Sequence, residues 1–228
     1  MVSTLQSDIL APMTIRAIIF DIGGVLVRTI DRAPRQALAE QLGTTYPALE
    51  ELVFGGESGR RAQLGQIDEA EQWAYACQQA GWSVQQVAEF RAQFFAGDRL
   101  DEELLGNIRQ LRQWYKTGII SNGMNNTRTM IGGPWGMGAL FDTIVISSEV
   151  GIMKPAPRIF QLAVERLGVQ PGEAVFVDDV LENVEAARKV GLFAIHYRDN
   201  PQLFEDLRAL SVDTFTPSNV PTLKRANA

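Results

Sequence analysis

Arg16-Ala-Ile-Ile-Phe-Asp-Ile-Gly-Gly-Val-Leu-Val27 is the stretch of sequence that decides the fold. Its first half is a short apolar run, bounded by glycine and rich in Ile and Phe, which is typical of a buried parallel strand rather than a helix. Asp21 falls at the carboxyl end of that strand. Ligands bind at this edge of open α/β sheets, and Gly23 and Gly24 let the backbone approach a ligand closely. The stretch alone leaves open whether Asp21 is catalytic, a loop residue or a helix cap.

Four further apolar runs follow, and amphipathic helical patterns separate most of them. The predicted strands lie at 117–123, 141–148, 174–179 and 192–196. Strands that alternate with helices indicate a mostly parallel sheet with right-handed crossovers. We therefore predict an α/β fold with a Rossmann-like three-layer core.

The segment 29–97 has a different character, because its apolar residues recur at helical spacing and no β-run interrupts them. It predicts a helical cap inserted into a core made of residues 14–28 and 98–210, with tails at 1–13 and 211–228. A glycine-rich stretch within the cap, 54–66, is predicted to be a loop. It carries Arg60 and Arg61, which could either face solvent or meet an anionic substrate. With Gly24, these arginines are the predicted substrate-binding residues.

Composition excludes several classes of protein. A net charge of −6 over 228 residues argues against a nucleic-acid-binding surface, and one cysteine, Cys77, excludes an internal disulfide and a cysteine-rich zinc site. No apolar run approaches the ~18 residues that a membrane span needs. The start of the chain lacks the pattern of a secretory signal, so a cytoplasmic protein is expected. The sequence leaves open whether the protein forms a homo-oligomer.

Several polar residues at or beside predicted strand ends suggest a site. Because the carboxyl ends of parallel strands share one edge, we expect Asp21, Ser121, Asp178 and Asp179 to converge, with Lys154 joining them from the start of a helix. Three close carboxylates repel one another and call for cations. Oxygen ligands of this kind suit Mg²⁺. A carboxylate nucleophile with a metal, a lysine and a hydroxyl indicates phosphoryl transfer.

Four short segments also occur in an order that matches a known family. They are Phe20-Asp-Ile-Gly-Gly-Val25, Ile119-Ile-Ser-Asn122, Gly151-Ile-Met-Lys-Pro155 and Val175-Phe-Val-Asp-Asp-Val-Leu-Glu-Asn183. Together they resemble the haloacid dehalogenase superfamily, in its phosphatase-rich branch with a helical cap after the first strand. The resemblance covers residues 16–196.

The resemblance implies a role for each matching position. Asp21 would be the nucleophile, and Ser121 with the backbone amide of Asn122 would bind phosphate oxygens. Lys154 would hold the nucleophile and the transferred group. The implied metal ligands are Asp21, the carbonyl of Gly23, Asp178 and Asp179, with Asn183 supporting them.

Gly23 departs from the family pattern, because most phosphatases of the family carry a second aspartate there. In the family its carbonyl binds the metal, while its side chain protonates the leaving oxygen and activates water. Gly23 keeps the carbonyl but lacks the acid, which typically contributes about 10² to 10⁴ in rate. A good leaving group, such as an anomeric sugar phosphate, an acyl phosphate or a phosphorylated phenol, would compensate. A cap acid such as Glu57 or Asp68 could also supply the proton, or activity could be lost.

Three functions remain open at this stage. The first is Mg²⁺-dependent hydrolysis of a small phosphorylated metabolite, sugar-phosphate-like, through an aspartyl-phosphate. The second is a metal-independent 2-haloacid dehalogenase acting through an aspartyl ester. Such dehalogenases also lack the second aspartate, although they usually have an aromatic residue in place of Gly23. The third is a catalytically inactive binding domain of the same fold.

Overall fold

The computed structural model of the protein describes residues 14–212. Its strands are β1 (Ala17–Phe20), β2 (Val27–Thr29), β3 (Asp98–Leu100), β4 (Lys116–Ser121), β5 (Thr143–Ile146), β6 (Ala174–Asp178) and β7 (Phe193–His196). All but β2 and β3 form one parallel sheet in the order β5-β4-β1-β6-β7. The chain therefore extends the sheet first on one side of β1 and then on the other. Such a switch point is where open α/β sheets bind ligands.

Helices cover both faces of this sheet. Their bounds are α1 (Ala33–Gln41), α2 (Tyr46–Phe54), α3 (Gly56–Gln63), α4 (Glu69–Gln79), α5 (Val87–Phe94), α6 (Glu102–Leu111), α7 (Thr127–Gly132), α8 (Ser147–Val150), α9 (Pro157–Leu167), α10 (Leu181–Lys189) and α11 (Asn200–Ala209). Short 3₁₀ turns lie at Val84–Gln86, Gly138–Leu140 and Pro171–Glu173. This arrangement confirms the predicted α/β fold.

Alternation along β1 explains the three layers. Ile18 and Phe20 pack in one core with α6 and α11, whereas Ala17 and Ile19 pack in another with α9 and α10. Successive side chains of a strand point to opposite faces, so an uninterrupted apolar run buries both faces of the central strand.

The helices α1 to α5 form a separate unit, called the insert below, between β2 and β3. The insert has its own apolar core, which includes Trp73, Cys77, Phe90 and Phe94. Strands β2 and β3 pair antiparallel where the chain leaves the main sheet and returns to it. Cys77 is buried and unpaired.

The glycine-rich stretch 54–66 is not the loop that the sequence predicts, because most of it forms α3. A Cβ at Gly59 would lie 2.6 Å from the backbone carbon of Phe54, the last residue of α2. Glycine at this position lets α3 pack closely on the end of α2. Its role is close contact between helices rather than chain reversal.

The described chain runs slightly beyond the predicted core. Val212 is buried and packs with the first core, although we predict a tail from 211 onward. The rest of that tail and the tail 1–13 lie outside the described residues. Among residues 14–212, no helix has the length and the apolar character needed to cross a bilayer.

Asp101 connects the returning chain to the main core. Its carboxylate accepts hydrogen bonds from Arg28 at 2.8 Å, from the amide of Leu104 at 2.9 Å and from Asn200 at 3.2 Å. Burial alone would raise the pKa of Asp101, but the bonds from Leu104, Arg28 and Asn200 outweigh it and hold the pKa below its usual range. The ionised carboxylate thus joins β2, α6 and α11.

Replacing Asp101 with Asn is expected to lower the free energy of unfolding by about 2 kcal/mol at pH 7, because bonds to a charged acceptor are lost. The pKa of Asp101 is lower in the folded protein than in the unfolded chain. Its contribution is therefore complete above the unfolded pKa, about 3.9, and is lost as pH falls through the folded pKa. Urea unfolding of both proteins at a series of pH values tests this. A stability difference that stays constant as pH falls would contradict it.

Candidate active site

Four of the predicted site residues lie where neighbouring strands end. Asp21 follows β1, Ser121 ends β4, Asp178 ends β6 and Asp179 comes next. Because β1 lies between β4 and β6, these ends are adjacent. The amide of Asp21 donates to the carbonyl of Val177 at 2.9 Å. The fold therefore brings these four residues to one edge of the sheet.

Lys154 reaches the same edge from the loop before α9. Its Nζ lies 2.8 Å from Oδ1 of Asp21 and 2.7 Å from Oδ2 of Asp178, and its side chain is 1% exposed. Burial alone would lower the pKa of Lys154, but attraction to the two carboxylates outweighs it and raises the pKa above its ordinary value. Lys154 is therefore a charged ammonium held between two carboxylates.

Two asparagines fix the orientation of these groups. Oδ1 of Asn122 accepts from the amide of Lys154 at 2.8 Å, and Nδ2 of Asn122 donates to the carbonyl of Lys154 at 3.0 Å. Nδ2 of Asn183 lies 3.1 and 3.2 Å from the two oxygens of Asp178, which also accepts from the amide of Val180. The sequence predicts a role only for the backbone amide of Asn122. Its side-chain contact with Lys154 joins positions that are distant in sequence, so no spacing indicates it.

The three aspartates form a group suited to a cation. Carboxylate oxygens of Asp21, Asp178 and Asp179 lie within 4.8 Å of one another. Oxygens on opposite sides of one Mg²⁺ are about 4.2 Å apart, so small side-chain movements would bring this set onto one ion.

The charge balance of the group also favours a cation. Burial raises the pKa of Asp21 to about 7, with Lys154 opposing and Asp178 adding to the shift. Burial beside Asp178 likewise raises the pKa of Asp179. One lysine thus does not offset three carboxylates, and a divalent cation with oxygen ligands fits the donor set.

Two adjacent glycines differ in the space around them. A Cβ on Gly24, whose φ is +76°, would lie 2.1 Å from Oδ2 of Asp179. Only glycine lets the backbone pass so close to that carboxylate. A Cβ on Gly23 would meet no described heavy atom within 4 Å. Gly23 therefore leaves room for a side chain where the family usually has an aspartate.

A cleft of about 1630 Å³ extends from this edge to the insert. Its core side includes Ser121, Asn122 and Asp179, together with Gly23 and Gly24. Part of the candidate site thus opens into one cavity with the insert, whereas Asp21, Lys154 and Asp178 are buried and are not among its described lining residues.

The structure does not bring the predicted insert residues to this cleft. Arg60 and Arg61 are exposed on α3 and are absent from the described lining, as is Glu57. Asp68 also lies outside the lining, and its carboxylate accepts from Asn125 at 2.7 Å. The arginines lie apart from Asp21 because they belong to a helix with an exposed polar face rather than to a loop over the site.

The insert end of the cleft is lined instead by apolar side chains interspersed with the ion pairs Arg35–Glu50 and Arg91–Glu69. Phe54, Trp73 and Phe95 belong to this lining, and Met130 and Trp135 contribute from the core. None of these five residues is predicted from the sequence to belong to the site. Helical spacing identifies Phe54 and Phe95 as apolar positions, but it cannot distinguish a core-facing ring from one that borders a cleft. Their position at or just beyond the ends of helices is the sequence feature that could have identified them as cleft residues.

The fold and the site together define an α/β protein with a buried lysine and three aspartates at the carboxyl edge of a parallel sheet. The model of the haloacid dehalogenase-like hydrolase family matches residues 15–191. The chain therefore belongs to the haloacid dehalogenase-like (HAD-like) hydrolase family, and the resemblance seen in its motifs is confirmed.

Several relatives of the chain are phosphatases. It is 27% identical over 202 residues to a sesquiterpene phosphatase of Aspergillus oryzae, a match that covers 86% of this chain and 97% of the relative. A glyceraldehyde 3-phosphate phosphatase of Methanopyrus kandleri is 34% identical over 98 residues, 42% of each chain. Mouse acyl-CoA dehydrogenase family member 10 is 27% identical over 206 residues. That match covers 86% of this chain but only 19% of the mouse protein.

Solved structures share the fold. A HAD-like hydrolase of Porphyromonas gingivalis gives a TM-score of 0.69 at 25% identity, covering 86% of this chain and 98% of that one. A HAD-family enzyme of Bacteroides thetaiotaomicron in complex with magnesium and inorganic phosphate gives 0.66 at 23%, covering 83% and 99%. An L-2-haloacid dehalogenase gives 0.59 at 24%, covering 79% and 85%. Phosphate-binding and dehalogenase structures thus share this architecture, so the fold does not choose between them.

Proposed function

We propose that the protein is a Mg²⁺-dependent hydrolase of phosphomonoesters of small metabolites, acting through an aspartyl-phosphate at Asp21. The observation that carries the proposal is the ammonium of Lys154, 2.8 Å from Asp21 and 2.7 Å from Asp178, beside the third carboxylate of Asp179. A nucleophilic carboxylate, a fixed cationic group and a potential metal site are the parts that phosphoryl transfer needs. The phosphatase relatives support it.

In the proposed reaction, a carboxylate oxygen of Asp21 bonds to phosphorus as the bond from phosphorus to the leaving oxygen breaks. The leaving oxygen takes a proton from water. A second water then adds to phosphorus and loses its proton to solvent, while the bond to Asp21 breaks and releases inorganic phosphate. Lys154 and the amide of Ile22, which donates to Asp21 at 2.7 Å, hold the nucleophile in position. Ser121 would bond a phosphate oxygen.

Four groups would hold Mg²⁺ in this proposal: the carboxylates of Asp21, Asp178 and Asp179 and the carbonyl of Gly23. The ion would offset repulsion between these carboxylates and the phosphate oxygens. A dianionic phosphate otherwise meets a site with a net negative charge. The proposal therefore requires the metal for binding as well as for the reaction.

We also propose that the insert acts as the cap of the active site. It contacts the core through hydrogen bonds from Asn125 to Asp68 at 2.7 Å and from the amide of Glu69 to Asn125 at 3.0 Å. Ser147 donates to the carbonyl of Gln63 at 2.6 Å. These bonds hold the insert against the strand-end region, where it would exclude bulk water from the reaction.

The test is a panel of phosphorylated metabolites, together with 2-chloropropionate, assayed with Mg²⁺ and with EDTA. We expect phosphate release that requires Mg²⁺ and stops in EDTA. Chloride release that is unaffected by EDTA would overturn the proposal in favour of a dehalogenase. Release of neither product would favour an inactive binding domain.

Asn183 provides a separate test of the metal site. Replacing it with Ala is expected to raise the Mg²⁺ concentration for half-maximal activity by about 10- to 100-fold, because Asp178 loses one of the donors that orient its oxygens. The matched control is Asn107→Ala, since Asn107 donates to the carbonyl of Glu103 within α6 and does not belong to the proposed metal site. Titration of activity with Mg²⁺ compares the two variants. An unchanged midpoint for Asn183→Ala would contradict the assignment.

A further inference from the structure

We propose that the substrate is an aryl phosphomonoester, a phosphorylated phenol carried on an extended aromatic or apolar body. This inference rests on the proposed phosphatase function and specifies its substrate class. Two independent features support it: the absence of an acid at position 23 and the apolar lining of the cleft at the insert.

The first feature concerns the proton that the leaving group needs. Of the carboxylates that line the cleft, Glu50 and Asp98 pair with Arg35, and Glu69 pairs with Arg91. Each is engaged as an acceptor in an ion pair. Asp179 belongs to the proposed metal group, and Glu102 is exposed at the start of α6. Among the described lining residues, Glu102 is thus the one carboxylate that belongs neither to an ion pair nor to the proposed metal group, and it starts α6 rather than following β1 as Gly23 does.

A phenolic leaving group removes the need for that acid. The pKa of a phenol is about 10, whereas an aliphatic alcohol has a pKa near that of water, about 15.7. When the bond to phosphorus breaks, its electron pair stays on the leaving oxygen. A phenolate accommodates this charge without a proton in the transition state, and solvent supplies the proton afterwards.

The second feature concerns the body of the substrate. Phe54 is 39% exposed and Val84 is 49% exposed, and both line the cleft. Phe95 lies between the ring of Phe54, at 6.4 Å, and that of Trp73, at 5.4 Å. Most other large apolar side chains of the insert are buried in its core. An aromatic surface that stays open inside a cavity is suited to receive another apolar body.

The core side of the cleft and its size agree with this assignment. Half-buried Met130 and Trp135 line the cleft from the core. The volume of about 1630 Å³ exceeds the ~300 to 1,000 Å³ of common small-ligand sites. A monosaccharide would leave the apolar lining in contact with water, whereas a polycyclic aryl group would cover it.

The leaving-group test compares 1-naphthyl phosphate with 1-naphthylmethyl phosphate in the presence of Mg²⁺. The two esters share one aromatic body, but the second releases an aliphatic alcohol. We expect kcat/KM to be at least about 10²-fold higher for the naphthyl ester, the contribution that a general acid would otherwise supply. Equal values would overturn the leaving-group argument, as would a loss of 1-naphthylmethyl phosphate turnover in Glu102→Gln, which would identify Glu102 as the acid.

The body test compares 1-naphthyl phosphate with acetyl phosphate, which has a good leaving group and no ring. Phe54→Ala is expected to raise KM for naphthyl phosphate about 10-fold, and to raise KM for acetyl phosphate, which has no ring, by a smaller factor. Val84→Thr, a smaller change that keeps the shape of the side chain, is expected to raise KM for naphthyl phosphate about threefold. The matched control is Tyr75→Ala, because Tyr75 is 42% exposed on α4 but does not line the cleft. Equal effects of Phe54→Ala and Tyr75→Ala would overturn the body assignment.

The two proposals fail in different ways. Mg²⁺-dependent hydrolysis of acetyl phosphate or of a sugar phosphate, without preference for naphthyl phosphate, would overturn the substrate class and leave the phosphatase function standing. Absence of phosphate release from every ester would overturn the phosphatase function itself.

Discussion

Asn in place of Asp21 is expected to lower Mg²⁺-dependent phosphate release by at least about 10³-fold, because an uncharged amide does not act as the nucleophile. The substitution also removes the negative charge on Asp21, whose Oδ1 lies 2.8 Å from Nζ of Lys154. No aspartyl-phosphate can form, so rapid-quench labelling should detect no covalent phosphate on the variant. Steady-state phosphate release and this labelling experiment measure the same loss in two ways.

Loss of activity in this variant must be separated from loss of fold. Burial raises the pKa of Asp21 to about 7, so its ionisation costs folding free energy in the metal-free protein, and this cost grows as pH rises from the unfolded pKa, about 3.9, and is complete above about pH 7. The variant should therefore unfold at no lower urea concentration than the wild type at pH 8. Asp206→Asn on α11, away from the sheet edge, serves as the matched control and should keep full activity. More than a tenth of wild-type activity in Asp21→Asn would contradict the role of nucleophile.

The convergence of the site could be predicted because it follows from topology. Asp21 and Asp178 each end a short apolar run, and parallel strands present such ends at one edge. The order of the strands in the sheet was not needed for this prediction. The contact between Asp178 and Lys154 needed one more condition, a loop that directs the lysine inward. The side-chain amide of Asn122 meets that condition, because it bonds to both the backbone amide and the carbonyl of Lys154.

The insert could be predicted less well, because a glycine in its sequence can have either of two structural roles. Glycine ends helices, but it also permits close approach of two helices. Gly59 has the second role, since a Cβ there would lie 2.6 Å from the backbone carbon of Phe54. A loop at Gly59 would have allowed Arg60 and Arg61 to meet a substrate, whereas the helix leaves them exposed. Packing between residues distant in sequence decides which of the two roles a glycine has, and the local sequence does not show that packing.

The same limit applies to the cleft. An apolar side chain at helical spacing is predicted to face the core. Phe54 does contact the insert core, with its ring 5.6 Å from that of Phe94, yet it is 39% exposed. A ring that borders both a core and a cavity satisfies the periodic pattern equally well. Only the position of the insert relative to the main sheet shows which surface remains open.

Gly23→Asp is expected to increase activity. A Cβ at this position has no described heavy atom within 4 Å, and Gly23 is exposed and lines the cleft. An aspartate there would supply the acid that the chain lacks, two residues after the nucleophile. Turnover of 1-naphthylmethyl phosphate should rise by about 10² to 10⁴. Turnover of 1-naphthyl phosphate should change little, because a phenolate leaves without a proton.

Gly23→Asn is the control that separates acid catalysis from a change of shape. Its side chain has the same size as aspartate and cannot donate a carboxyl proton, so the two esters should keep their wild-type ratio of kcat/KM. The aspartate variant should also lose its advantage as pH rises, since only the protonated carboxyl donates to the leaving oxygen. An equal increase in the Asn and Asp variants would show that Gly23 limits the reaction through space rather than through the missing proton.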